Sequence, residues 1–101
     1  MDLRPSSKTF GKWSSIELNG VNLTQLYLPK GIAHGFQTLS QNSIVHYCLT
    51  SKYEPNSSYV INPFGDLGID WPIKQYSISD RDRDGISLSS AVQKYAESLK
   101  S

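Results

Sequence analysis

The chain has 101 residues, with ten basic and nine acidic side chains for a formal charge of +1. That length fits one domain and allows a modest core, burying roughly 60–68% of the surface the unfolded chain exposes. The near-neutral balance, with no basic run, argues against nucleic acid and against an anionic membrane surface as partners. No apolar stretch approaches the roughly 20 residues needed to span a bilayer, and Met1-Asp2-Leu3-Arg4-Pro5 carries no hydrophobic signal region. The one cysteine, Cys48, cannot pair internally and suits a reducing compartment. The expectation is a soluble, cytoplasmic protein.

In chain order, residues 5–9 are polar and turn-like. From Phe10 to Leu18 strand formers alternate, with Ile16 and Leu18 on one parity and Trp13 and Glu17 on the other. Asn19-Gly20 is a hairpin turn signal. Thr24–Leu28 reads as a second strand, broken by Pro29-Lys30-Gly31. Ile32–Leu39 reads as a third, crossed by Gly35, and Ser40-Gln41-Asn42 turns the chain. Ser43–Lys52 is a fourth strand, apolar on both faces and therefore central. Tyr59–Ile61 is a short fifth. Residues 62–88 are read as ordered loop, pinned to the sheet by two prolines and Trp71. Leu88, Val92, Tyr95 and Leu99 recur on one helical face, and Ser90 with Gln93 makes a capping box, which predicts a helix over residues 89–99. These signals predict a single, mainly β domain of sandwich or barrel type, with one C-terminal helix.

The run Ser79-Asp80-Arg81-Asp82-Arg83-Asp84-Gly85 has the first half of a calcium loop, D-x-D-x-D-G. Position 12 of such a loop should be a bidentate glutamate, and counting from Asp80 it is Ala91. The arginines would also set positive charge beside the cation. A run of cancelling surface charges explains the composition equally well.

Several segments together resemble the dTDP-4-dehydrorhamnose 3,5-epimerase family. They are Asp2-Leu3-Arg4, Thr9-Phe10-Gly11-Lys12-Trp13, residues 25–31 (QLYLPKG), Ala33-His34-Gly35-Phe36, Tyr47 followed by Tyr53-Glu54-Pro55, residues 67–72 (LGIDWP), and Ser79-Asp80-Arg81-Asp82. The resemblance implies a shortened cupin-like jelly roll (a double-stranded β-helix), corresponding to the C-terminal part of the family's domain. It implies a homodimer and a dTDP-sugar ligand, with no cofactor and no metal. The implied reaction inverts carbons of a 4-keto-6-deoxy sugar in deoxysugar biosynthesis. A base removes the proton beside the ketone, an acid returns one to the other face, and the enolate oxygen must be stabilised between the two steps.

Carried over residue by residue, Tyr47 matches the proton-donor tyrosine, and Asp82 matches the aspartate that orients the catalytic histidine. Arg81 matches a basic residue associated with substrate binding, and His34 a histidine lining the substrate site. Tyr47 also reads as a core aromatic, Asp82 as a surface carboxylate and His34 as a structural histidine. The family's R-G-L-H base motif precedes its D-I/L-R segment, which here begins at residue 2. The expectation is therefore a base supplied from elsewhere, either by a partner copy or by a chain carrying the missing N-terminal half. His46 neighbours Tyr47 in sequence, so on a regular strand it would face away from it. The rival expectation is a non-catalytic sugar-nucleotide-binding or assembly module that retains the scaffold.

Overall fold

A computed structural model describes residues 1–100. The expected jelly roll does not form: the chain is 18% helical and 4% strand, with no sheet among the described residues. Strand structure is confined to two isolated bridges, Asp2 with Ile32 (antiparallel) and Ile61 with Ile86 (parallel). The punctuation of the sequence is nevertheless present. Turns fall at residues 20–22, 30–31 and 41–42, and the runs 12–19, 23–29, 33–39 and 43–49 contain no helix and no turn. Asn42 has a φ of 59°, the left-handed conformation that asparagine tolerates. The correction has a physical cause. A strand propensity is a fit to a pleated, half-buried surface, and the runs have no paired neighbour to supply one.

Two compact units divide the described chain. One comprises Met1–His34 with Val92–Ser101, the other Gly35–Ala91. The first is organised around Asp2, which is 4% exposed. Its carboxylate accepts bonds from the Arg4 backbone N–H (3.0 Å), Arg4 Nε (2.9 Å), Arg4 Nη2 (3.0 Å), Ser7 Oγ (2.6 Å) and Thr9 Oγ1 (2.6 Å). Its main chain donates to Lys12 O and accepts from Gly11 N–H, while Leu3 N–H donates to Gly31 O. A carboxylate this well supplied with donors holds its charge against burial. The Arg4 guanidinium first, then the Ser7 and Thr9 hydroxyls, hold the Asp2 carboxyl far below the usual carboxylate range, and burial opposes them only in part.

A carboxyl depressed in the folded state stabilises the fold above its unfolded pKa, and that stability is lost as pH falls through the folded value. The protein is therefore expected to lose thermal stability steadily below about pH 4, where a free aspartate titrates. Asp2→Asn is expected to lower the melting temperature at neutral pH and flatten its dependence below pH 4. Melting curves followed by circular dichroism from pH 7 to pH 2.5 check both.

Gly31 closes the same unit. Its φ is 91°, and a Cβ there would lie 2.6 Å from Arg4 Cγ and 2.8 Å from the Tyr95 hydroxyl. The Tyr95 hydroxyl is the end of a side chain that can swing away, whereas the Arg4 stem is held through its bonds to Asp2, so the substitution strains that pair as well as the backbone. Gly31→Ala is expected to destabilise by about 1–2 kcal/mol, measured by urea unfolding.

In the second unit a short 3-10 helix, η1 (Pro55–Ser57), is followed by α1 (Asp80–Arg83) and by the start of α2 (Leu88–Ser98). α2 lies one residue earlier at each end than the spacing predicts, and its cap differs too. Ser87 Oγ accepts from Ser90 N–H at 3.2 Å, so Ser90 is the capped residue and not the cap. With no sheet to pack on, Trp71 anchors locally: its indole Nε1–H donates to Pro63 O at 3.0 Å. Phe64 lies 5.8 Å from the Trp71 ring and stacks on Tyr76 with centroids 3.8 Å apart. The Gln37 amide clips residue 73, donating to Ile73 O (3.1 Å) and accepting from Ile73 N–H (3.0 Å).

Buried apolar side chains are few among the described residues, Leu3 and Ala91, whereas Ile44 is 92% exposed and Leu26 and Leu49 more than half exposed.

Candidate functional site

In the second unit the charged residues Asp80, Arg81, Asp82 and Arg83 form α1, and Ser58 lies against it. The aspartate run folds as this four-residue helix because Ser79 caps it, its hydroxyl accepting from Asp82 N–H at 3.2 Å. Asp80 ion-pairs with Arg83, and Asp84 lies 3.8 Å from Arg83 Nε. Among the described residues no three histidine, cysteine, aspartate or glutamate side chains gather as a metal-holding group, so the D-x-D-x-D-G run presents no calcium shell.

Arg81 stands apart from the other two arginines. Arg4 is paired with Asp2 and Arg83 with Asp80, whereas the Arg81 guanidinium has no carboxylate partner among the described residues and donates to Ser58 Oγ at 3.4 Å. Arg81 and Ser58 line an open hollow of about 200 Å³ together with Tyr59, Val60, Asp84, Gly85 and Ile86. Its wall is fixed by the main chain, through Ile86 N–H to Val60 O (2.8 Å) and Asn62 N–H to Ile86 O (3.0 Å). The Asn62 side chain adds a bond to Arg83 O at 3.0 Å. The hollow thus offers guanidinium donors, a serine hydroxyl and the Asp84 carboxylate beside apolar Ile86 and Tyr59, a mixture suited to a hydroxylated or anionic ligand.

Asp82 follows Arg81 on α1 and is half-buried. Within its unit the Asp82 carboxylate makes no hydrogen bond or ion pair among the described residues, and His46 is not bonded to it. Tyr47 lies in the run 43–49 and is 74% exposed. His34 is exposed and belongs to the first unit. Of the four residues singled out from the sequence, then, Arg81 and Asp82 share one helical turn, while Tyr47 and His34 stand on separate runs.

Three structural contributors had weaker signals. Ser58 touches Arg81 across 23 residues of sequence, a contact no local pattern encodes. Gly85 was visible only as the glycine that ends the charged run. Asp2 could have been found from its surroundings, since an arginine two residues on and hydroxyls at positions 7 and 9 are suitable donors for a buried carboxylate.

A profile of the family described as dTDP-4-dehydrorhamnose 3,5-epimerase matches residues 1–90. The chain belongs to this family of sugar-nucleotide epimerases. It is 39% identical over 89 residues to the dTDP-4-dehydrorhamnose 3,5-epimerase of Methanothermobacter thermautotrophicus, covering 83% of this chain and 48% of the relative. It is 38% identical over 89 residues to the enzyme of the same name from Escherichia coli, covering 88% and 44%. A dTDP-4-dehydrorhamnose 3-epimerase of Streptomyces niveus is 35% identical over 92 residues, covering 90% and 44%. The chain spans a little under half the length of these curated relatives. No solved structure matches it significantly. Among the described residues no helix is long and apolar enough to cross a membrane.

Proposed function

We propose that the chain is the part of a dTDP-sugar epimerase that carries the proton donor and the carboxylate orienting the base. Membership of the epimerase family over residues 1–90 carries this reading. Tyr47 returns a proton to the carbon beside the ketone. Asp82 holds and polarises a histidine base that comes from outside the described residues. Arg81 and His34 contact the nucleotide sugar, and the free guanidinium beside Ser58 supports that role for Arg81, because it is not already committed to a carboxylate. The substrate class is a dTDP-4-keto-6-deoxy sugar. The relatives' names include both a 3,5-epimerase and a 3-epimerase, so either one carbon or two is inverted. The single thiol and balanced charge fit a cytoplasmic enzyme. A homodimer or a complementing chain would supply the base.

One observation favours a second reading, a non-catalytic sugar-nucleotide-binding or assembly module. The Asp82 carboxylate has no histidine partner among the described residues.

Incubating the protein, together with a chain that supplies the histidine base, with dTDP-4-keto-6-deoxyglucose in heavy water separates the two. Deuterium entering C3 or C5 above the protein-free rate, followed by proton NMR, is the expected result. Thermal stabilisation by dTDP with no deuterium entry would replace the epimerase reading with the binding module.

A further inference from the structure

A hollow of about 330 Å³ lies in the first unit, within the size range of small-molecule sites. None of Tyr47, Asp82, Arg81 and His34 lines it. Its frame is main chain, bonded on both sides of residues 1–3. On one side Asp2 N–H donates to Lys12 O (3.0 Å) and Gly11 N–H to Asp2 O (2.9 Å). On the other, Leu3 N–H donates to Gly31 O and Ala33 N–H to Met1 O, both at 2.9 Å. Lys12 N–H is fixed in turn by Thr9 O at 2.9 Å. Asp2, Lys12 and Ile32, which all line the hollow, are thereby tied into one piece of backbone.

The side chains on this frame leave a surplus of donors. The one carboxylate in the lining, Asp2, is already supplied by Arg4, Ser7 and Thr9. Its pairing with Arg4 takes up Nε and Nη2 and leaves Arg4 Nη1 without an acceptor, on a side chain still 41% exposed. The Lys12 ammonium, the Ser14 hydroxyl and the Trp13 indole N–H have no hydrogen-bond or ion-pair partner among the described residues. Arg4 and Asp2 cancel in charge, so Lys12 leaves the lining net positive. Trp13, part-exposed, and Ile32 supply apolar surface beside these donors.

We propose that this hollow is a second ligand site, for a small anion that carries a flat aromatic ring. The anionic head lies among Lys12, Arg4 Nη1 and Ser14, and the ring against Trp13 and Ile32. A cation would meet Lys12 and find no carboxylate uncommitted. A neutral polar ligand would leave the positive charge unanswered and the indole uncovered. The site stands independently of the epimerase reading, since it uses none of the residues assigned to the nucleotide sugar.

Proton–nitrogen NMR of the full chain tests the proposal. The chain has two tryptophans, Trp13 and Trp71, so two indole N–H signals report on separate places, and Trp13→Leu assigns them. The probes are phenyl phosphate and benzoate, two anionic heads on the same ring. The expected result is a saturable shift of the Trp13 signal, with a Kd of about 1 mM or tighter for at least one probe, while the Trp71 signal stays still. The tighter probe identifies the headgroup. Inorganic phosphate, acetate and benzyl alcohol should each bind at least about tenfold more weakly than that probe. Lys12→Met should weaken it by about fivefold or more, and Lys12→Arg should retain it. Both changes leave the main-chain bonds of Lys12 in place, and Ser14→Ala, at an exposed hydroxyl, gives a second comparison with the backbone untouched. No saturable shift, or equal shifts of both indoles, would overturn the proposal. An inorganic head or benzyl alcohol binding as tightly as the full probe would overturn it too, because the site would then read only charge or only apolar surface. So would an unchanged Kd in both Lys12→Met and Ser14→Ala.

Discussion

Phenylalanine at position 47 is expected to slow proton return at the epimerised carbon by about 10²–10⁴-fold, the usual contribution of a positioned general acid. The substitution removes one oxygen and nothing else. Among the described residues the Tyr47 hydroxyl makes no hydrogen bond, and the side chain is mostly exposed, so the folded chain loses no contact with it. The circular dichroism spectrum and the melting temperature should be unchanged while formation of the inverted sugar falls. Asp82→Asn is its companion. The Asp82 backbone N–H keeps its bond to Ser79, so α1 survives the change. A neutral amide can still accept a bond from a histidine but cannot stabilise the charged imidazolium, and turnover should fall by a comparable factor. Unchanged rates in both variants would remove these two residues from the mechanism.

The second large effect is on stability. Gly85→Ala is expected to destabilise by about 3 kcal/mol, the upper part of the range for overpacking a tight site, lowering the melting temperature by roughly 12–24 °C in a domain of this size. A Cβ at Gly85 would lie 2.6 Å from Asn62 N, 2.7 Å from the Ile61 carbonyl carbon and 2.9 Å from Val60 O. All three are main-chain atoms, so no rotamer change relieves the clash. They also belong to the bridge that holds residues 60–62 against Ile86, and the wall of the Arg81 hollow moves with it. Gly20→Ala is the control. Nothing lies within 4 Å of a Cβ there, and the change should stay within about 0.5 kcal/mol. Equal melting temperatures for the two variants would mean that residues 60–62 and 85–86 do not approach so closely.

The contrast between runs and turns shows what the sequence could disclose. Asn19-Gly20, Pro29-Lys30-Gly31 and Ser40-Gln41-Asn42 mark breaks because turn chemistry is local, and the breaks fall there. The helix was legible for the same reason, since its period of apolar residues is contained in twelve residues, Leu88 to Leu99. Sheet formation is not local. Alternation in residues 10–18 or 43–52 says that a face would suit a partner, not that a partner is within reach, and the sandwich or barrel expected from it does not form among the described residues. The cap of α2 was misplaced by one turn because Ser87, Ser89 and Ser90 offer three similar hydroxyls, and only the geometry selects Ser87. The site was legible through family resemblance more than through pattern. Arg81 and Asp82 stand together because they are neighbours in sequence, whereas the Ser58 contact depends on how residues 58–60 return to α1.

The run 43–49 carries apolar groups on both parities, with Ile44 on one and Val45, Tyr47 and Leu49 on the other, all open to solvent. Where one face is apolar and the other polar, a slip of one residue is penalised, because it turns every greasy side chain outward. Here a slip exchanges one apolar face for another, so side-chain contrast alone does not fix which way the residues of the run face. What fixes the run is its end, the turn at 41–42 with its left-handed Asn42. Changing that turn's length should therefore shift the position of Tyr47.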